Sequence, residues 1–244
     1  MNNRFENQNV IVTGGTRGIG RAITEAFLKE GATVVATYAN NDEAANAFKS
    51  EMEVYGDRLK TAKFDVSSYS ECEDFFNQNE TQYHVLVNNS GIRKDNMLAM
   101  MPVEDFDRVI DINLKGTFNM SKLAVLNFMK NRYGRIINMS SMSGKMGIPG
   151  QANYAASKAA QVALTQSLSK EVAKRKITVN CIAPGFIETE LISDLPAEQV
   201  NEYKKTVPMK RFGQASEVAS ATLFLASSEA SYITGTTLEI SGGL

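Results

Sequence analysis

The sequence is poor in the residues that build metal centres and disulfide frameworks. It has two cysteines, Cys72 and Cys181, far apart and outside any CxxC, and a single histidine, His84. A catalytic metal and a stapled scaffold are therefore both unexpected. An excess of either charge is also missing, with 26 basic against 27 acidic side chains and a net charge of -1. No general field exists to draw in nucleic acid or an anionic membrane surface, so any basic patch must be local. Long apolar runs are absent too. The opening MNNRFENQNVIVTGG meets its glycine pair before a signal-peptide core can form, and nothing later approaches the length of a membrane span. A soluble, unexported, cytoplasmic chain is the expectation. With few prolines, no internal repeat and no low-complexity linker, residues 1–244 read as one domain.

The chain does have 43% hydrophobic and 22% charged residues, the balance of a globular domain. Short β-branched runs recur along it: VIVT from Val10, TVVATY from Thr33, HVLVNN from His84, RIINM from Arg135 and ITVNCIAP from Ile177. Helix-length amphipathic stretches separate them, which predicts βαβ units and a parallel sheet. The runs are apolar almost throughout, as strands covered by helices on both faces must be. The expected fold class is α/β, a doubly wound Rossmann-type domain. RAITEAFLKEG from Arg21 predicts a helix closed by Gly31 at its C′ position, and SEVASATLFLAS from Ser216 predicts one capped by that serine. The least regular segment, 185–213, is expected to form a substrate loop or lid over the strand ends.

The first run flows directly into TGGTRGIG, residues 13–20, which opens a helix. Backbone N–H groups at a helix N-terminus can face an anion, and Gly14, Gly18 and Gly20 remove side chains that would hold a pyrophosphate away. The spacing differs from G-x-G-x-x-G, so position carries the reading: the carboxyl end of the first strand is where open α/β sheets bind dinucleotides. A plain glycine turn is the other reading. The second run ends in Thr37, Tyr38, Ala39 and Asn40, with no acid for a ribose 2′-hydroxyl. Arg17, within the glycine loop, is placed to pair with a 2′-phosphate, which points to NADPH; a solvated arginine is the alternative.

Tyr154 and Lys158 lie in an Ala-rich stretch that favours a helix, and their i,i+4 spacing puts them on one face. Such a pair arises readily by chance, so its surroundings carry the inference. Ser140 and Ser141 follow a buried strand at the edge where sites form, and Asn113 falls in the helix before that strand. A phenol titrates near 10, and lowering it by about three units needs roughly 4 kcal/mol. One ammonium about 4 Å away supplies about that at an effective dielectric of 20. Ser141 and Tyr154 are both hydrogen-bond donors.

Taken in order from Val10 to Gly243, TGxxxGxG, NNSG, N-L-x-G, S…Y-x-x-x-K and P-G resemble the classical short-chain dehydrogenase/reductase family. Within it, GIRKDNML, GQANYAASKAA, ITVNCIAPGFIETE and YITGTTLEISGG resemble the branch that reduces 3-oxoacyl thioesters of acyl carrier protein in fatty acid synthesis. The resemblance implies a seven-stranded, mainly parallel sheet flanked by helices, NADPH/NADP as cofactor and a homotetramer built through the last strand and the long helices. It makes Tyr154 the general acid, Lys158 its pKa modulator and ribose anchor, Ser141 the donor to the substrate carbonyl, and Asn113 the support of a proton-relay water. For the cofactor it implies Gly14, Thr16, Arg17, Gly18, Ile19 and Gly20 around the phosphates, Asp65 and Val66 at the adenine, and Asn89, Ser90 and Gly91 on the adenosine side. Pro184, Gly185, Ile187 and Thr189 then fall to the nicotinamide, the last two at its carboxamide. Ser90 departs from the alanine usual there.

Two small basic clusters, Lys130 with Arg132 and Lys174, Arg175, Lys176, stand out in a nearly neutral chain. Solvated helix ends are the plain explanation. The resemblance makes Arg132 and Arg175 candidates for docking the acidic helix of acyl carrier protein. His84 reads as a surface or capping residue and Cys181 as a small core hydrophobe. Met97, Met100, Met101, Met142 and Met146 read as core filling, with a flexible acyl site as the alternative. Competing functions are an acetoacetyl-CoA reductase, another reductase or dehydrogenase of the family acting on an unrelated ketone or alcohol, and a non-catalytic dinucleotide-sensing protein.

Overall fold

The computed structural model describes residues 3–78, 81–189 and 197–244. Its first half alternates β1 (Asn9–Val12), α1 (Gly18–Lys29), β2 (Thr33–Tyr38), α2 (Asp42–Glu51), β3 (Leu59–Lys63), α3 (Tyr69–Asn77) and β4 (Val85–Asn88). The middle comprises α4 (Val103–Ile110), α5 (Gly116–Met129), β5 (Gly134–Met139), the single turn α6 (Ser143–Met146), α7 (Ala152–Val172) and β6 (Ile177–Pro184). Then come β7 (Ile187–Glu188), α8 (Ala197–Thr206), β8 (Gly213–Gln214), α9 (Ala215–Ala226) and β9 (Thr237–Ile240). Seven strands form one sheet in the order β3-β2-β1-β4-β5-β6-β9, every pair parallel, and β7 pairs with β8 in a separate two-stranded ribbon.

Strand periodicity explains why helices cover both faces. Val10 and Val12 of β1 point into one apolar cluster with Ile23, Phe27, Val218 and Leu223 of α1 and α9. Ile11, between them, points into the other with Met120, Leu123 and Phe128 of α5. The same alternation separates Val85 and Val87 from Leu86 in β4. A side chain of this size contributes about 1.5–3 kcal/mol when fully buried, and a period of two delivers that gain to both faces from one strand.

The five runs anticipated as strands are β1, β2, β4, β5 and β6; β3 and β9, less apolar in sequence, close the two edges. Gly31 does follow the α1 C-cap, at φ 93. Ser216 does not cap α9. Gln214 holds that position in a capping box with Glu217, because the chain enters the helix straight from β8 and already has an acceptor two residues earlier. Core filling fails for Met97, Met100 and Met146, which are exposed, and holds for Met142. The segment Leu98–Met100 is a single 3-10 turn at the surface. His84 accepts the Asn9 N–H on Nδ1 at 3.0 Å, a structural role at the start of β4, and Cys181 is a buried member of β6. Among the described residues no helix is long and apolar enough to cross a membrane, and no cluster of His, Cys, Asp and Glu could hold a metal ion.

Candidate active site

Strand order reverses between β1 and β4, and the carboxyl ends of these strands carry the glycine loop and the NNSG turn. The two are locked together. Thr13 Oγ1 accepts from the backbone N–H groups of Asn89 and Ser90, both at 2.9 Å, and the Asn89 side chain donates to the carbonyls of Thr13 and Gly14 at 2.9 and 3.1 Å. Gly14 sits at φ 61, and a Cβ on Gly20 would stand 2.1 Å from the Gly14 carbonyl oxygen. A side chain at Gly20 has no room as built, and one at Gly14 would be strained. Arg17 is the N-cap residue of α1 and is exposed, Thr16 is buried, and Ile19 packs on the core below. Thr189, after β7, reaches this loop: its Cγ2 would lie 3.9 Å from a Cβ on Gly18.

The end of β2 is less empty of acid than its sequence suggests. Asp42, the first residue of α2, hydrogen-bonds the Tyr38 hydroxyl and pairs with Lys63 at 2.6 Å. Lysine first and tyrosine second hold its carboxyl below the usual range, so the acid stands there already partnered. Past β3, Asp65 pairs with Arg108 at 2.8 Å and accepts from Ser67 N and Oγ. Burial alone would raise this carboxyl; the Ser67 and Arg108 hydrogen bonds outweigh it and keep the group low. Val66 is buried, with its carbonyl taken by Asn119.

Beyond β5 the two serines divide. Ser140 is buried and donates to the Lys158 carbonyl at 2.8 Å, whereas Ser141 hydrogen-bonds the Tyr154 hydroxyl and accepts the Ser143 N–H at 3.1 Å. Tyr154 and Lys158 share one face of α7 as their spacing requires, and the Lys158 ammonium lies 5.6 Å from the Tyr154 ring centre. It donates to the Met139 carbonyl at 2.6 Å and to Gln161 Oε1 at 3.2 Å. The anticipated lowering of the phenol is not what the structure shows. Burial pushes Tyr154 up, against the Ser141 hydrogen bond and the Arg93 charge, and burial brings Lys158 down to about 8. Both groups resist their charged forms for the same reason, loss of water.

Asn113 is not within a regular helix. It occupies a π-type turn, Asp111–Lys115, between α4 and α5, where its side chain accepts from Ile92 N at 2.8 Å and donates to Ile92 O and Ser157 Oγ. Such bulges are frequent at functional sites. Here it ties the segment after Gly91 to α7.

Comparison with known proteins decides the family. A family model described as enoyl-(acyl carrier protein) reductase matches residues 14–244. The 3-oxoacyl-[acyl-carrier-protein] reductase of Escherichia coli (strain K12) is 42% identical over 240 residues, which cover 98% of this chain and 98% of that protein. The protein of the same name from Staphylococcus epidermidis (strain ATCC 35984) is 39% identical over 241 residues, 98% and 99% of the two chains. That of Staphylococcus aureus (strain Mu50) is 40% identical over 240 residues, 97% and 98%. The chain belongs to the short-chain dehydrogenase/reductase family.

In this member of the short-chain dehydrogenase/reductase family, Pro184 ends β6, and Gly185 and buried Ile187 carry the chain on from the strand's carboxyl end. Gly185 donates to the Ile240 carbonyl at 2.9 Å, which fixes the departure of the chain toward β7. Of the expected lid 185–213, residues 190–196 lie outside the described residues. Arg132 Nη2 donates to the carbonyl of Lys174, the residue before Arg175, at 3.4 Å. Both arginines precede the amino ends of β5 and β6, at the sheet edge opposite Ser141. Sequence reasoning missed Gln161 and Thr117, whose side chains meet at Asn113; the available signal was a polar residue seven places after Tyr154 on the same helix face.

Proposed function

We propose that this protein reduces 3-oxoacyl thioesters of acyl carrier protein to 3-hydroxyacyl thioesters in fatty acid synthesis, with NADPH as cofactor. The observation that carries the reading is the hydrogen bond between Ser141 and Tyr154 beside Lys158, at the strand ends that face the glycine loop. The bare Gly14–Gly20 cradle at the α1 N-terminus suits a pyrophosphate, and the exposed Arg17 suits a 2′-phosphate. Gly14, Thr16, Arg17, Gly18, Ile19 and Gly20 would hold the phosphates, Asp65 and Val66 the adenine, and Asn89, Ser90 and Gly91 the adenosine side. Lys158 and Tyr154 would meet the ribose, and Pro184, Gly185, Ile187 and Thr189 the nicotinamide. When bound, NADPH supplies the hydride.

The chain's own groups do the rest. Ser141 and Tyr154 direct two donors at one point, where a substrate carbonyl oxygen accepts both and its growing negative charge is stabilised. Tyr154 then gives its hydroxyl proton to that oxygen, and the Lys158 ammonium lowers the cost of the phenolate left behind. Asn113 holds the wall through Ile92 and Ser157. The exposure of Met97, Leu98, Met100 and Met146 supports an adaptable apolar seat for the acyl chain near Tyr154, since Asn96 N–H donates to the Gly150 carbonyl and so ties their loop to the entry of α7.

The reading takes residues 1–244 as one catalytic domain, cytoplasmic, with 185–213 as its substrate loop. Exposed Phe106 on α4 and Phe118, Leu126 and Met129 on α5 support a homo-oligomer, a tetramer in our reading. Arg132 and Arg175 are proposed to dock the acidic carrier. They stand about 20 Å from Ser141 along the strand direction, so a docked carrier would serve the cleft of another protomer. The test follows NADPH consumption with a 3-oxobutyryl group on acyl carrier protein, on coenzyme A, and with simple ketones. The carrier substrate is expected to have the highest kcat/KM. Preference for coenzyme A would make this an acetoacetyl-CoA reductase, simple ketones outrunning both thioesters would place it elsewhere in the family, and NADPH binding without turnover of any would leave a dinucleotide sensor.

A further inference from the structure

The face of α7 that carries Tyr154 and Lys158 continues into a third polar residue. Gln161, fully buried, lies one turn beyond Lys158. A primary amide in the core is costly unless its carbonyl and both N–H groups find partners, and here all three do. Its Oε1 accepts from Lys158 Nζ at 3.2 Å, while Nε2 donates to the Asn113 main-chain carbonyl at 2.8 Å and to Thr117 Oγ1 at 2.7 Å. Thr117 Oγ1 itself donates to the same Asn113 carbonyl at 2.7 Å. The partners fix the orientation of the amide: turned over, its NH2 would face an ammonium and its oxygen a carbonyl.

Two consequences follow from counting groups. A carbonyl oxygen has two lone pairs, and two side-chain donors already use those of Asn113. An ammonium has three N–H groups, and Lys158 gives two of them to Met139 and Gln161. One remains for the cleft, on whose wall a Cβ at Gly91 would stand 3.5 Å from Nζ.

We infer that Gln161 is a positioning residue for Lys158: its amide joins the lysine ammonium to the Asn113 carbonyl, taking the place of the relay water that the family resemblance implies, and so aims the third N–H of Lys158 at the cleft. The inference rests on the role of Lys158 proposed above. It makes this branch of the site a fixed side-chain bridge, with the Asn113 carbonyl closed to a further donor.

Two substitutions separate positioning from packing. Gln161→Leu keeps most of the volume but supplies no hydrogen bond, whereas Gln161→Ala opens room for a water, which needs about 30 Å³, between Nζ and the Asn113 carbonyl. If Gln161 only packs, leucine should match or exceed alanine in both thermal stability and kcat. Under positioning the kcat order reverses: Gln161→Leu falls about tenfold to a hundredfold, the loss of one hydrogen bond to a charged group, and Gln161→Ala retains more activity although it is the less stable protein. KM for the thioester should change little in either. Crystal structures give a readout independent of activity, with a water within reach of both Nζ and the Asn113 carbonyl expected in Gln161→Ala. Should the leucine protein fail to fold, Gln161→Met replaces it in the same comparison. A leucine or methionine variant as active as the alanine variant, or an alanine variant with no bridging water, overturns the inference. Tyr154→Phe run in parallel keeps the two readings apart: retained turnover there defeats the proposed function, and its loss together with an unreversed order at Gln161 defeats only the bridge.

Discussion

The Lys158 ammonium lies 5.6 Å from the centre of the Tyr154 ring, and its two identified hydrogen bonds run to Met139 and Gln161, leaving a third N–H for the cleft. The pair is thus held side by side, with the phenol kept protonated by burial, which outweighs the opposing hydrogen bond with Ser141. A proton available at that point is what carbonyl reduction needs. Tyr154→Phe keeps the ring and loses only that proton, so turnover should fall by about 10² to 10⁴ while NADPH still binds. Stopped-flow turnover together with cofactor titration checks this, and near wild-type turnover sinks the general-acid assignment.

The same burial sets a pH limit. It brings Lys158 down to about 8, while Cys181 on β6 is pushed up to about 11 and Tyr154 is raised, so Lys158 is the first of the three to change charge as pH rises. Below about 8 the ammonium is present; above it the neutral amine can no longer stabilise a phenolate. Because kcat/KM reports groups of the free enzyme, it should decline about tenfold per pH unit above that point. Lys158→Met should show a lower value with no such limb. A wild-type profile that stays level to about pH 10 would mean that the charge of Lys158 is not used.

Much of this arrangement was legible in the sequence, for reasons visible in particular residues. Val10, Ile11 and Val12 announce a strand buried on both faces, and Gly14, Gly18 and Gly20 announce a loop whose backbone must be bare. Tyr154 and Lys158 announce themselves by helical spacing. Gln161 did not, because the buried side of α7 is itself polar, with Asn153, Ser157, Lys158, Gln161, Thr165 and Ser169 all inside. Periodic hydrophobicity cannot mark such a face, and one more polar residue on it looks like surface. Asp42 was missed for another reason: it follows β2 by four residues, and only the α2 start turns it back to Tyr38 and Lys63. Exposed Met97 and Met100 escaped because a short surface turn has no period to read.

Cofactor choice should depend on Arg17. Its side chain is exposed at the N-cap of α1, while the acid nearest the end of β2, Asp42, is already paired with Lys63. Arg17→Ala should weaken NADPH much more than NADH, since only the phosphorylated cofactor loses a charge-assisted pair. Fluorescence titration with both cofactors measures the difference. Equal losses would reduce Arg17 to a shaper of the loop.

Carrier recognition is tested at the opposite edge of the sheet. Arg132, at φ 53 in the turn before β5, bonds the Lys174 carbonyl in the 3-10 turn before β6 that also carries Arg175. Neither lies near Ser141, so reversing both to Glu leaves the catalytic groups in place. The double variant should raise KM for a carrier-bound 3-oxoacyl substrate, mainly through slower association, and barely affect the same acyl group on a small thiol. Added salt should mimic the substitution on the wild type, because exposed charges are screened as the Debye length shrinks. If docking serves a neighbouring protomer, a dissociated, monomeric variant should lose the carrier advantage even with both arginines intact. Equal losses on both substrates would point to damage to the fold. No loss on either would leave the two arginines as solvated turn residues and remove the charge argument for a carrier over coenzyme A.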